Sequence, residues 1–244
     1  MTPLDPDLLI RAYSVGVFPM ADAQDAPDVF WVEPKRRGIL PLDGFHLPRS
    51  LAKVLRAERF ELTVDRAFGP VMRACAEATP DRPSTWINDL ILDAYQALFD
   101  RGQAHSVECW RAGHLVGGLY GVHLGAAFFG ESMFTRERDA SKVALAHLVA
   151  RLRAGGFTLL DTQFLTDHLA RFGTVEVGRD DYRLLLSSSI RGVGDWGALA
   201  AGETAGEVFA GLTDGAADDL PDPTTTVFGP VSGKRIAQLL TQTS

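Results

Sequence analysis

Two side chains in Leu160-Asp161-Thr162-Gln163 could do chemistry together. A carboxylate beside an amide can hold and orient an ammonium or an amine, and residues i and i+2 on a strand point to the same face. The apolar run Phe157-Thr158-Leu159-Leu160 leads into them, which would leave the pair partly shielded at a strand end. Asp161 has a second reading, as the cap of a helix over 164–172. Glu131, between Gly130 and Ser132 in a run rich in glycine and aromatics, could recognise a cationic group or face solvent from an edge strand. Arg49, Lys53 and Arg56 recur at spacings of four and three after Pro48. One helical face then carries three cations, either a seat for phosphates or a solvated basic face. Trp86, Tyr95 and Tyr13 offer aromatic rings on which a base can stack, with structural burial the alternative for the tyrosines.

Other chemistries fit poorly. The six histidines (46, 105, 114, 123, 147 and 168) form no HxxxH or HExxH pair, so a metal site is not expected. There is no GxxxxGK[ST] loop and no GxSxG elbow. Cys75 and Cys109 show no CxxC spacing, which speaks against a disulfide framework or a zinc knuckle and fits a reducing compartment. No apolar run reaches about 18 residues, so no membrane span is expected. The first residues lack the basic and apolar regions of a secretory signal, and a cytoplasmic protein is the expectation. The net charge of −7 argues against a general nucleic-acid coat. It leaves room for a local basic patch, since residues 33–59 hold seven basic residues against three acidic.

The elements that must position these residues read as α+β. Helices are expected over 6–15, over 66–78 after Asp65, and from Asn88 to Arg101 with Gly102 as the stop. The period then changes to two, giving consecutive strands over Ala104–Trp110, Leu115–Val122 and Ala126–Met133. A helix over 140–154 closes at Gly155-Gly156. Next come a strand over 157–161, the helix 164–172, a strand at Val175–Val177 and a helix over 179–188. Three antiparallel strands, a helix, a strand and a helix is the order of acyltransferases of the GNAT type. Residues 190–244 hold seven acidic residues against three basic. They read as an acidic, loosely ordered extension with a short helix near 233–241.

Eight segments form a more specific pattern: Phe18-Pro19, Phe45-His46-Leu47-Pro48-Arg49-Ser50-Leu51, Thr85-Trp86-Ile87, Ala104-His105-Ser106-Val107-Glu108-Cys109-Trp110, Leu115-Val116-Gly117-Gly118-Leu119-Tyr120-Gly121, Phe129-Gly130-Glu131-Ser132-Met133-Phe134, Ala140-Ser141-Lys142, and Leu160-Asp161-Thr162-Gln163 with Asp167-His168-Leu169. Together, over about residues 8–186, they resemble the leucyl/phenylalanyl-tRNA–protein transferases. Met20 stands where an aromatic commonly follows Phe-Pro in that family, and Trp31-Val32-Glu33-Pro34 where Trp-Trp-Ser-Pro is usual.

The resemblance implies an enzyme that takes Leu or Phe, and in some cases Met, from aminoacyl-tRNA. It joins that residue to a protein beginning with Arg or Lys, marking it for degradation, with no cofactor or metal. It implies a small N-terminal domain (1–60, with the basic helix) packed on a GNAT-like catalytic domain (61–189), followed by the 190–244 extension. Asp161 and Gln163 take the catalytic positions, and Glu131 and Ser132 recognise the acceptor or aminoacyl group. Leu119, Phe128, Gly130, Met133, Leu145, Leu148 and Leu160 line the side-chain pocket. Tyr13, Arg49, Lys53, Arg56, Trp86 and Tyr95 contact the tRNA. Two rivals remain: an acetyl-CoA-dependent N-acetyltransferase of the same fold, and a non-catalytic aminoacyl-tRNA-binding protein. The first needs a glycine-rich loop opening a helix, whereas Arg153-Ala154-Gly155-Gly156 closes one. The second would be expected to have lost Asp161, Gln163 or Glu131.

Overall fold

The computed structural model describes residues 3–79 and 83–199, together with Lys234, Ala237 and Leu240. Helix α1 (Pro6–Ser14) starts at Asp5, whose carboxylate accepts the Asp7 N–H, with proline at the tolerated first position. Strands β1 (Phe18–Met20) and β2 (Phe30–Val32) pair as a small antiparallel sheet of their own. Strand β3 (Arg36–Ile39), helix α2 (Arg49–Arg56), strand β4 (Glu61–Val64) and helix α3 (Phe68–Ala76) follow. Helix α4 (Asp89–Asp100) is capped by Asn88, whose Oδ1 accepts the Ile91 N–H at 3.0 Å. The meander β5 (Ala104–Arg111), β6 (His114–Leu124) and β7 (Ala127–Thr135) leads to helix α5 (Ala140–Ala154). Strand β8 (Leu159–Gln163), helix α6 (Asp167–Ala170), strand β9 (Val175–Gly178) and helix α7 (Arg179–Ser189) complete the described body.

Seven strands form the main sheet in the order β4-β5-β6-β7-β8-β3-β9. Every neighbouring pair is antiparallel except β7 and β8, which α5 connects and which run parallel. Helix α5 is buried along most of its length, as its alanine- and leucine-rich sequence requires. With α2 it covers one face of the sheet, over a core that includes Phe45, Leu51, Leu55, Leu119 and Leu160. Helices α1, α3, α4 and α7 cover the other face over Tyr13, Phe18, Tyr95, Tyr120 and Phe129.

From Asn88 to Ser189 the elements fall close to their expected places, with one clear exception. The helix expected over 164–172 contracts to α6, because a tight turn (Phe164 N–H to Thr162 O, 2.6 Å) precedes it and Thr166 provides its cap. Strands β1 to β4, only three or four residues each, are too short to show a period in the sequence. Strand β3 lies between β8 and β9, and α2 packs into the core under α5. Within residues 36–60, β3 thus joins the main sheet, and Leu40, Leu51, Leu55 and Phe60 join the core. The extension expected from 190 onward begins too early. Trp196 is buried, stacked between His105 (4.3 Å) and Phe128 (5.4 Å), and its Nε1 donates to Asp65 Oδ2 at 2.8 Å. Arg151 donates to the carbonyls of Trp196 and Leu199, fixing the segment's backbone. Lys234, Ala237 and Leu240 have helical backbone, and the last two are buried in the core. The rest of the expected extension lies outside the described residues.

Candidate active site

The parallel pairing of β7 with β8 ends at Phe129 and Asp161. Beyond that point Gly130–Met133 and Thr162–Phe164 wall a cavity of about 420 Å³. Leu119 and Met133 come from the sheet, Leu145 and Leu148 from α5, and Leu160 from β8, giving an apolar wall. Met20 and Trp86 close the opposite side, joined by the loop in which Ala21 N–H donates to the Trp86 carbonyl. Ser132, Thr166 and His168 add polar groups.

Glu131 enters the cavity through a β-bulge. Gly121 faces Gly130 and Tyr120 faces Ser132, which leaves Glu131 as the extra residue. The bulge needs Gly121, because a Cβ there would sit 2.2 Å from the Phe129 carbonyl oxygen. The Tyr13 hydroxyl donates to Glu131 Oε1 at 2.6 Å, and Gln163 Nε2 donates to Oε2 at 2.9 Å. Tyr95 reaches the same carboxylate at 3.3 Å and hydrogen-bonds the Tyr13 hydroxyl. Burial pushes the Glu131 carboxyl up to about 7, against the opposing effect of the hydrogen bonds from Tyr13 and Gln163. Burial likewise holds both tyrosine hydroxyls well above their ordinary range, so they act as neutral donors.

Asp161 and Gln163 are neighbours here, but only Gln163 lines the cavity. Asp161 is fully buried and absent from the cavity wall. Its carboxylate takes the Arg37 guanidinium fork, with Nε 2.9 Å from both oxygens and Nη2 2.7 Å from Oδ2. Tyr182 donates to Oδ2 at 2.5 Å, and Oδ1 accepts the Gln163 N–H at 2.7 Å. Gln163 itself, the last residue of β8, has φ 61°, a left-handed backbone, and its amide donates to Glu131. The helix-capping reading of Asp161 fails, since Thr166 caps α6.

Most of the sequence-expected site converges. Leu119, Gly130, Glu131, Ser132, Met133, Leu145, Leu148, Leu160, Gln163 and Trp86 line one cavity. Phe128 does not: on the opposite side of the β7 pleat from Glu131's tyrosine partners, it is buried against Trp196. Tyr13 and Tyr95 are both buried and hydrogen-bonded to Glu131, which matches the alternative of structural burial. Arg49, Lys53 and Arg56 stand exposed on α2, whose Leu51 and Leu55 face the core. Met20 and His168, quoted among the motifs without a role, line the cavity, and Arg37 and Tyr182 carry no signal in the sequence. Arg37 lies in the Lys35-Arg36-Arg37 run, which reads as surface charge, yet in β3 alternate residues face opposite ways. Arg36 is exposed toward Glu176 and Arg37 is buried. Among the described residues no His, Cys, Asp and Glu come together in a group that could hold a metal ion, and no helix is long and apolar enough to cross a membrane.

A largely apolar cavity with an amide and a carboxylate at one end can hold one side chain of an amino-acid derivative and orient an amine beside it. Fold and site thus define an α+β protein with an amino-acid-sized site opened between parting strands. Residues 39–187 match the family described as leucyl/phenylalanyl-tRNA protein transferase, and residues 2–35 match that family's N-terminal domain. The leucyl/phenylalanyl-tRNA–protein transferase of Rhizorhabdus wittichii is 62% identical over 252 residues, covering 100% of both chains. That of Paramagnetospirillum magneticum is 60% identical over 190 residues, 78% of this chain and 91% of the relative. A solved structure of L-PGS from Bacillus licheniformis is a distant likeness: TM-score 0.38, 15% identity, 67% of this chain and 55% of that one. The chain belongs to the leucyl/phenylalanyl-tRNA–protein transferase family.

Proposed function

We propose that this chain moves Leu or Phe, with Met a further candidate, from aminoacyl-tRNA to the N-terminal Arg or Lys of an acceptor protein, as a cytoplasmic degradation signal. The observation that carries this reading is the Gln163–Glu131 hydrogen bond at the end of an apolar cavity. Leu119, Leu145, Leu148 and Leu160 suit an aliphatic or aromatic side chain, and the flexible Met133 suits both shapes. Ser132 lies beside them for the aminoacyl group. The acceptor's neutral amine attacks the ester carbonyl, the new amide bond forms and the bond to the ribose oxygen breaks. The amine's proton ends on that released oxygen. The ester is already activated, so orientation is the main task. Gln163 is too weak a base to take the proton outright, so its carbonyl oxygen holds the amine while the ribose hydroxyls relay the proton.

The terminal adenosine stacks on Trp86, and the acceptor-stem phosphates lie along Arg49, Lys53 and Arg56. Four antiparallel strands followed by α5 and a parallel β8, with the cavity where β7 and β8 part, support a GNAT-like catalytic unit with the N-terminal residues packed on it. An acetyl-CoA reaction is disfavoured. The opening of α5 presents Asp139, held by Lys142 at 2.7 Å, where a coenzyme pyrophosphate would need free N–H groups.

The test is to incubate the purified chain with Phe-, Leu- or Met-tRNA and peptides beginning with Arg, Lys or Ala, without acetyl-CoA. Mass spectrometry should find one added residue on the Arg and Lys peptides. No addition, or addition only with acetyl-CoA, would overturn the reading.

A further inference from the structure

We propose that Arg37 is a positioning residue for the transfer reaction: through Asp161 it fixes the backbone turn that aims Gln163 into the cavity, with Tyr182 as a second hold on the same carboxylate. The inference rests on the reading of the site given above.

The guanidinium has no freedom left. The Phe18 and Tyr182 rings lie 4.6 Å and 4.7 Å from its central carbon. Its Nη1 donates to the Gly16 carbonyl at 2.9 Å, and the rest of the fork grips Asp161. Burial alone would lower the Arg37 pKa, but the neighbouring carboxylate more than offsets this and raises it. Arg37 and Tyr182 hold Oδ2, and Oδ1, itself held by Arg37 Nε, accepts the Gln163 N–H. A non-glycine residue at φ 61° persists only when its surroundings over-determine it. Here the Asp161 acceptor, the Phe164–Thr162 turn and the packing of that turn over Gly38 do so. A Cβ at Gly38 would lie 2.7 Å from the Phe164 backbone carbon, so β3 supplies both the arginine and the space.

Arg37 also ties down the other half of the site. Gly16 ends the segment after α1, the helix that carries Tyr13 to Glu131. One side chain thus braces both residues of the Gln163–Glu131 bond without touching the cavity. Fold stability alone does not explain the pair, because a buried ion pair is on average no more stabilising than apolar residues of the same volume. Lysine could keep the charge but not the fork.

The test compares Arg37→Lys, Tyr182→Phe, and the charge-neutral double variant Arg37→Met with Asp161→Asn, using Gln163→Ala as the benchmark. Each is melted, then assayed for Phe transfer from Phe-tRNA to an Arg-peptide. In Arg37→Lys, kcat should fall about 10- to 100-fold, the range for losing one charged hydrogen bond's alignment. KM for Phe-tRNA should stay within about threefold. Tyr182→Phe should show the same split with a smaller fall. The double variant should melt near the wild type yet transfer as slowly as Gln163→Ala. Wild-type kcat in both Arg37→Lys and Tyr182→Phe, or recovery of the wild-type rate in the double variant, would overturn the proposal. Should the double variant fail to fold, the other two, which keep charge and packing, decide the matter. Wild-type transfer in Gln163→Ala would overturn the reading of the site and this proposal with it. A crippled Gln163→Ala beside a normal Arg37→Lys would overturn the proposal alone.

Discussion

The Gln163 amide donates to Oε2 of Glu131 at 2.9 Å, across the gap where β7 and β8 stop pairing. Each partner reaches the gap through a local departure from strand geometry: a bulge at Glu131 and a left-handed backbone at Gln163.

The buried carboxylate makes stability depend on pH. Glu131 sits at about 7 in the folded protein, against about 4.3 in an unfolded chain. Between these values the folded state binds more protons. The stability conferred by Glu131 is therefore full below about 4.3 and is lost as pH rises through 7, on the order of 4 kcal/mol at most. Glu131→Gln removes this dependence. The Tm of the wild type minus that of Glu131→Gln should fall as pH goes from about 5 to about 8. Melts showing a constant difference would contradict the assignment.

Leu119 and Leu145 face the cavity, not the closed core alone. Leu119→Trp or Leu145→Trp should fill the space for the aminoacyl side chain, raising KM for Phe-tRNA at least about tenfold. Overpacking a closed core instead costs about 1–3 kcal/mol and leaves folded enzyme normal. Kinetics paired with melts separate the two outcomes.

The exposed face of α2 should act only on the nucleic acid. Replacing Arg49, Lys53 and Arg56 by Ala should weaken Phe-tRNA binding and flatten its salt dependence by roughly 0.7–0.9 in slope for each phosphate left without its cation. Transfer from a short aminoacyl-adenosine should hardly change, since it carries no acceptor stem. Equal damage to both substrates would make α2 purely structural.

Trp196 anchors a segment whose composition suggested no order. Trp196→Ala should destabilise the fold by about 3–5 kcal/mol, as for a large buried aromatic. A change within about 0.5 kcal/mol, typical of surface positions, would contradict its place in the core. Urea unfolding measures it.

What was legible in the sequence follows from element length. Helix α5 and strands β5 to β7 run for 8 to 15 residues, enough for their periods and glycine stops to show. Strand β3 has four residues, too few for a period to appear, and its arginines resemble a solvated charge run. The carboxylate–amide pair was legible as two residue types but not as a geometry, because spacing does not reveal the φ of Gln163. Tyr13 and Tyr95 read as stacking rings. Their real partner, a buried Glu131, lies 118 and 36 residues away in the chain. Trp196 was lost among glycine and alanine, since its burial depends on Asp65, His105 and Arg151 brought from elsewhere.

The central claim is that bond formation happens where Gln163 meets Glu131, and a single-turnover experiment tests it most directly. Phe-tRNA is bound to the wild type and to Gln163→Ala, an Arg-peptide is mixed in, and the appearance of Phe-peptide is timed. The account predicts equal Phe-tRNA affinity in both and a bond-forming rate lower by on the order of 10²-fold in Gln163→Ala. Equal rates at equal affinity would contradict it.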